Sequence, residues 1–402
     1  TASGISLVSD VKSARIINGQ NTAPAIQVGD GVATVGRVHI SGLYFSGASG
    51  AVATSGQSCL KLNKVIHSDI ANIYVSSFPT ALQDGIHLVE VSQTSLFNLQ
   101  VQSCAGRGFY VDNCVDIYIS DSRSDANGGR GFSFRSSEGI YCSNVTAFQN
   151  NIAWEIASPN VNDSKNMFFS NCVGDSSESF NWLVTALQSA FFVNCWGATQ
   201  QDDTLNTFAT GFHFHGAEVD DIRLVNCFAN NNNAHGISVG TDATRVYIST
   251  TTAEANGQSG TGEGINTDNT VRDLMISNCF TRSNATVGIL LATGVTCQVH
   301  GNRLTDGMTS SAAASSLIYK NIGYDTAAKG TAVVLSGATA IVIPHGLDIT
   351  PDISNISITP TNDPTNDVGG FWITAVGGTN FTVNVRNAPG ASTFTLSWAV
   401  ND

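Results

Sequence analysis

Glu155 is the residue of this chain best suited, by type and position, to proton transfer. It sits between apolar neighbours in Ala153-Trp-Glu-Ile. The corresponding place in neighbouring segments holds Lys61, His87, Tyr110, Ser133, Asn181, His213, Ser238 and Asn266. Two positions further on stand Asp112, Arg135 and His215. Tyr, Glu, His, Asp and Arg gathered on one face are the side chains that hydrogen-bond hydroxyl groups and shuttle protons. Only 12% of the chain is charged, against roughly 25% in an average globular protein, so this concentration reads as a site. A carboxyl at Glu155 raised in pKa by burial would serve as a general acid. Its partner would be Asp175 in the same repeat, Glu178 just after it, or Asp202 and Asp203 in an insertion, and the sequence leaves that choice open.

The elements that position these residues come from a repeat. Gly–apolar–x–apolar recurs as Gly85-Ile-His-Leu, Gly108-Phe-Tyr-Val, Gly131-Phe-Ser-Phe, Gly211-Phe-His-Phe, Gly236-Ile-Ser-Val, Gly264-Ile-Asn-Thr and Gly288-Ile-Leu-Leu. Ala153-Trp-Glu-Ile and Ser179-Phe-Asn-Trp read as degenerate copies. A second motif, apolar–x–apolar–x–Asn–Cys, recurs ten to fifteen residues later, as in Met167 to Cys172, Ile222 to Cys227 and Leu274 to Cys279. Alternation with period two means short strands with every second side chain inward. Gly and Asn between them mark turns. About 23 residues with three short strands form one coil of a parallel β-helix, which buries its face only by stacking on the next. Asn144, Asn171, Asn194, Asn226 and Asn278 should stack as a ladder at one turn. Cys172, Cys195, Cys227 and Cys279 should form an inward column, with Cys142 also inward, as small core residues.

The expected fold is all-β: a right-handed single-stranded parallel β-helix of about 10–11 coils, followed by a small C-terminal antiparallel β-domain. Residues 1–55 read as a cap and first coil, 56–323 as the helix, 324–330 as a linker, and 331–402 as a sandwich-like trimerisation or carbohydrate-binding module. In that module Trp372 and Trp398 read as core residues, the alternative being sugar platforms. A further outward column carries Asp125, Phe148, Asp175, Asn230, Glu254 and Arg282, with Trp196, Phe228 and Phe280 beside it. These aromatics suit sugar stacking or subunit contact equally. The stripe Tyr118, Tyr141, Phe168 and Phe191 reads as subunit contact.

Net charge is −13, with 18 Lys and Arg and no basic stripe, which excludes nucleic acid as the natural partner. No apolar run is long enough for a membrane-spanning helix. The nine Cys have neither disulfide nor zinc spacing, so no metal or cofactor is expected.

With these coils, the Asn–Cys turns and the terminal stretch Pro344-His-Gly-Leu-Asp-Ile-Thr-Pro351, the chain resembles bacteriophage tailspikes and capsule or O-antigen depolymerases of the pectate-lyase-like β-helix superfamily. The resemblance covers about 56–402. It implies a homotrimer on the virion tail, acting outside the cell on capsule, O-antigen or exopolysaccharide. It also implies attachment to the phage tail through an N-terminal region expected to be missing here. It carries no universal catalytic motif. For a glycosidase, Glu155, Asp175, Glu178 and His213 are the catalytic candidates. His87, Tyr110, Asp112, Arg135, Asn181, Trp196, Asp202, Asp203, His215 and Phe228 are the sugar-binding candidates. Two carboxyls about 5–5.5 Å apart would retain anomeric configuration and a pair 6.5–9.5 Å apart would invert it. A lyase would instead use His213 or Tyr110 as base, with Arg135 or a bound Ca²⁺ neutralising a uronate. Hydrolysis ranks first because few basic residues are expected on that face. A non-catalytic receptor-binding spike is the remaining alternative.

Overall fold

The structure is a computed structural model that describes residues 5–8, 15–18, 24–47, 57–78, 83–158, 164–198, 209–313, 315–362, 368–390 and 393–400. The chain divides into two compact units, Thr1–Gln298 with Thr305–Ser316, and Val299–Leu304 with Leu317–Asp402.

The first unit is a parallel β-helix of about nine regular turns, as the repeat requires. Each turn lays down three short strands, giving three faces. The first face is a 12-stranded parallel sheet built from the Gly–apolar–x–apolar segments, among them Phe109–Asp112, Arg130–Arg135, Ile152–Ala157, Phe180–Val184 and Thr210–Phe214. The second face holds strands such as Val115–Ser120 and Lys165–Ser170. The third holds Arg123–Asp125, Thr146–Phe148, Val173–Asp175, Trp196–Ala198 and Phe228–Asn230. The second and third faces belong to one sheet, bent at a residue in the left-handed region. That residue is Asn at 144, 171, 194, 226 and 278, the residue type that enters this region at least cost after glycine. The amides of Asn171, Asn194 and Asn226 each donate to the asparagine one turn earlier, at 3.2, 3.2 and 2.7 Å. The expected ladder is present from Asn144 to Asn226; Thr250 takes the turn in the next coil and separates Asn278 from it.

Inside, the apolar residues of the first face stack as a column of rings: Phe109, Phe132, Trp154, Trp182 and Phe212, with centroids 4.5, 4.4, 4.5 and 5.7 Å apart. Indoles this wide fit because the third face offers only Gly174 and Gly197 opposite them; a Cβ at Gly197 would lie 3.0 Å from the Phe212 ring. The buried indole N–H groups donate to third-face carbonyls, Trp154 to Val173 and Trp182 to Trp196, each at 3.0 Å, so neither indole nitrogen is stranded. All nine cysteines are free and buried, and burial pushes up the thiols of Cys195 and Cys227 in the turn column and of Cys142, which faces inward on the second face. They behave as small core residues.

Between the third and first faces runs a second, interior ladder. Asn127 bonds Asn150 at 2.9 Å, and Asn232, Asn256 and Asn284 continue it at 2.8 and 2.9 Å.

The second unit contains two three-stranded antiparallel sheets. Ala328–Val334 and Ile356–Pro360 flank Phe394–Val400; Ala340–Pro344 and Phe371–Val376 flank Asn380–Val385. Phe381, Val383, Phe394, Leu396 and Trp398 form their core. Trp398 is a core residue as expected. Trp372 is 46% exposed, because it falls on the outward parity of its strand. Among the described residues no helix is long and apolar enough to cross a membrane.

Candidate functional site: the first and third outward faces

Strand register defines the outward column of the first face as Lys61, His87, Tyr110, Ser133, Glu155, Leu183, His213, Ser238 and Asn266. Asn181 is absent from it, which corrects the sequence reading. The repeat in that coil runs Asn181-Trp-Leu-Val rather than Ser179-Phe-Asn-Trp, since Trp154 pairs with Trp182. Asn181 therefore occupies the glycine place of the motif and is fully buried. Its amide donates to the Ala198 carbonyl at 2.9 Å and to Asn232 at 3.1 Å. The interior ladder lacks an asparagine in this coil, where Ser177 takes the turn, and Asn181 reaches Asn232 from the strand.

The polar side chains of the first face bind one another. Arg107 grips Asp84 with two 3.0 Å bonds and lies 3.3 Å over the Tyr110 ring. His87 stacks on Tyr110 at 4.6 Å. The Tyr110 hydroxyl donates to Asp112 at 3.1 Å and accepts from Arg135 at 3.4 Å. Glu155 accepts from Arg130 at 3.0 Å through one oxygen and from Ser133 at 2.9 Å through the other. Both of its oxygens are engaged within the face. Both ring nitrogens of His87 are buried without a hydrogen-bond partner, and burial pulls this imidazole down to about 4.

Higher on the face the ring of His213 stacks on His215 at 5.6 Å, beside Phe180 at 5.2 Å. Burial, then the neighbouring His215, pulls His213 down to about 4. Phe212 and Phe214 are fully buried and His213 faces out, as the period-two reading requires. Glu263 is held below the usual carboxylate range by its hydrogen bond with His235, burial opposing.

The third face differs. Its outward column runs Gln102, Asp125, Phe148, Asp175, Ala198, Asn230, Glu254 and Arg282. Trp196 is 41% exposed, packs edge-on to Phe228 one rung above at 5.7 Å, and donates to Asn230 at 3.1 Å. Asp175 is half-buried and accepts from the Ser176 hydroxyl at 3.1 Å; burial raises its carboxyl, with that bond opposing. Asp125 is ion-paired to Arg123 through one oxygen, while the other is buried without a partner. Burial raises this carboxyl too, against the pull of Arg123.

The candidates thus separate. Glu155 and His213 share the first face, two rungs apart with Leu183 between; Asp175, Trp196 and Phe228 share the third. Glu178 lies on the turn that joins the third face to the first, exposed, and accepts from Asn151 at 2.9 Å. Asp202 and Asp203 lie outside the described residues. The sequence reading missed Asp84, Arg107, Arg130, His235 and Glu263. Their signal was present, since each immediately precedes a repeat glycine and so recurs with the coil. Among the described residues no three His, Cys, Asp or Glu side chains gather as a metal site.

No family model and no curated protein matches the chain. Solved structures do. Tailspike protein 3 of bacteriophage CBA120 aligns with a TM-score of 0.52 at 10% identity, over 80% of this chain and 57% of that one. The tailspike gp49 of Pseudomonas phage LKA1 aligns at 0.48 and 11% identity, over 98% and 67%. The A-module of the Azotobacter vinelandii mannuronan C-5 epimerase AlgE6 aligns at 0.43 and 14%, over 72% and 90%. At such identities the likeness is one of fold. The chain is an all-β parallel β-helix protein with the architecture of phage tailspikes.

Proposed function

We propose that the protein is a receptor-binding spike of a phage tail that binds bacterial surface polysaccharide along its third face and hydrolyses it. One observation carries this reading: the exposed Trp196, packed against Phe228 on the next rung, lies on the same outward face as the half-buried Asp175, one rung above it and one outward column over. Rungs repeat at about 4.8 Å, so successive outward residues meet a linear polymer at regular intervals. Aromatic faces take up the apolar side of sugar rings, and many weak contacts hold the scissile bond in place. The first face supplies coil-to-coil pairing in this reading.

A second reading, β-elimination from a uronate, draws on Tyr110, whose hydroxyl meets Arg135 and whose ring lies under Arg107. Homotrimer formation is proposed through Tyr118, Tyr141, Phe168 and Phe191, an exposed stripe in which Tyr118 stacks on Tyr141 at 4.9 Å.

Incubation with purified surface polysaccharides tests all of this. New reducing ends without an unsaturated product support hydrolysis. Ultraviolet absorbance from an unsaturated uronate moves the chemistry to Tyr110. Binding without either product leaves a non-catalytic spike. A solution mass of one chain removes the trimer.

A further inference from the structure

Trp372 lies exposed on the outer face of the second unit's sheet of Ala340–Pro344, Asn380–Val385 and Phe371–Val376. The inner face of that sheet is apolar, and Ile343, Phe381, Val383 and Val385 enter the core. The outer face is mixed. Register sets Ala340, Asn384 and Trp372 in one row across the three strands, with Val342 and Thr382 paired in the next. Asn384 therefore has an indole on one side and only a methyl group on the other. A bulge interrupts the pairing between Ile373 and Ala375, so that two successive side chains, Thr374 and Ala375, face out. There the Thr374 hydroxyl accepts from the Asn384 amide at 2.6 Å. That bond orients the carboxamide and uses one of its two N–H donors; the other donor and the carbonyl oxygen can serve a ligand.

The outward column of the middle strand continues from Asn384 to Arg386, which is exposed. Unlike Arg107 and Arg130, it forms no ion pair among the described residues. The described residues of this face include no carboxylate, in a chain whose net charge is −13. A flat indole bordered by an amide, hydroxyls and a guanidinium matches a sugar ring, with its apolar C–H side and polar edge. A second copy of the chain matches less well. A standard protein interface buries about 800 Å² per partner around an apolar centre, whereas the large apolar side chains exposed on this face are Trp372 and Val342.

We propose that this outer face is a second saccharide-binding site, on a different compact unit from the third face, and that it takes a sugar bearing an acidic group. Trp372 receives the C–H side of the ring, Asn384 and Thr374 bond its hydroxyls, and Arg386 pairs with the acidic group. With no carboxyl to move a proton, the site holds polymer and does not cut it. The inference rests on the reading of the protein as a polysaccharide binder and is independent of the chemistry it performs.

The test uses the full chain and a panel of purified acidic capsular polysaccharides, each beside its carboxyl-reduced derivative. Tryptophan oxidation is mapped by mass spectrometry with and without polymer, and affinity is measured by titration calorimetry. Polymer should protect Trp372 in the unaltered protein and in Trp196→Ala alike. Trp372→Ala and Arg386→Gln should each weaken binding about fivefold, with unchanged thermal unfolding. Carboxyl reduction should weaken binding by the unaltered protein and leave Arg386→Gln unaffected. Equal oxidation of Trp372 with and without a bound polymer overturns the site and leaves the third face as the sole binder. Protection that grows with protein concentration in the absence of polymer gives the face to a second copy and overturns it too. Reduced polymers bound as tightly as their parents overturn the acidic class and the role of Arg386. An unaltered protein that binds no polymer of the panel overturns the polysaccharide reading itself, and this site with it.

Discussion

The first and third faces are built from the same coils and carry similar side chains, yet they use them differently. On the first face the carboxylates Asp84 and Glu155 are bound by arginines of the neighbouring rung, Arg107 and Arg130, while the rings of His87 and His213 keep buried nitrogens without a partner. On the third face Trp196 is exposed with the partly exposed Phe228 beside it, and the side chain of Asp175 meets a neutral hydroxyl, although Asp125 and Glu254 do carry arginine partners, Arg123 and Arg282. Outward direction alone therefore does not make a binding residue. What matters is whether its polar atoms are already satisfied by the fold, because a satisfied group has little left to offer a ligand.

This contrast breaks first at Arg107. Removing it leaves the buried Asp84 carboxylate unpaired, and Arg107→Ala should cost about 3 kcal/mol in denaturant unfolding. Polysaccharide affinity at low temperature should be unchanged; a loss of binding without a loss of stability would make the first face the ligand surface.

The two faces should also titrate with opposite sign. His87 and His213 are depressed to about 4. Their neutral forms add stability above the ordinary histidine value near 6.5, and that stability fades as pH falls toward 4, by up to about 3 kcal/mol each. Asp125 and Asp175 are raised, so their contribution is present below the ordinary carboxylate value and is lost as pH rises through the folded one. Unfolding free energy measured from pH 7 down to 4 should fall, and His213→Gln should flatten the slope. For the same reason cleavage that uses Asp175 as its acid should decline on the alkaline side as that carboxyl loses its proton; a rate that climbs with pH instead would deny it the role.

Trp196→Ala should weaken polysaccharide binding by about fivefold, near 1 kcal/mol, with little change in stability. Equal affinity in isothermal titration would leave the third face without its platform. Smallest of all, Glu155→Gln should lower stability by about 1 kcal/mol, through its bond with Arg130, and leave turnover within about threefold. Abolished turnover would return catalysis to the first face.

Much of the fold was legible because coil geometry writes itself into spacing. Phe212-His-Phe214 alternates as a strand must, and Asn144, Asn171 and Asn194 recur where the backbone turns left-handed. The site was less legible. Asn181 misled because a degenerate repeat admits two registers, and the ring stack of Trp154 on Trp182 chose between them. Arg107 and Arg130 went unnoticed because attention to the residues after each glycine passed over the one before it.

From its amino acids alone this chain determined a stack of three-stranded coils, since period-two alternation and turn residues act within a few positions of each other. Tertiary structure decided which outward groups are already spoken for. Pairing across rungs joins residues about 23 positions apart, and whether two such side chains meet depends on rotamer, burial and the bulk between them. Asp84 and Arg107 met; Asp125 and Asp175 were kept apart by Phe148.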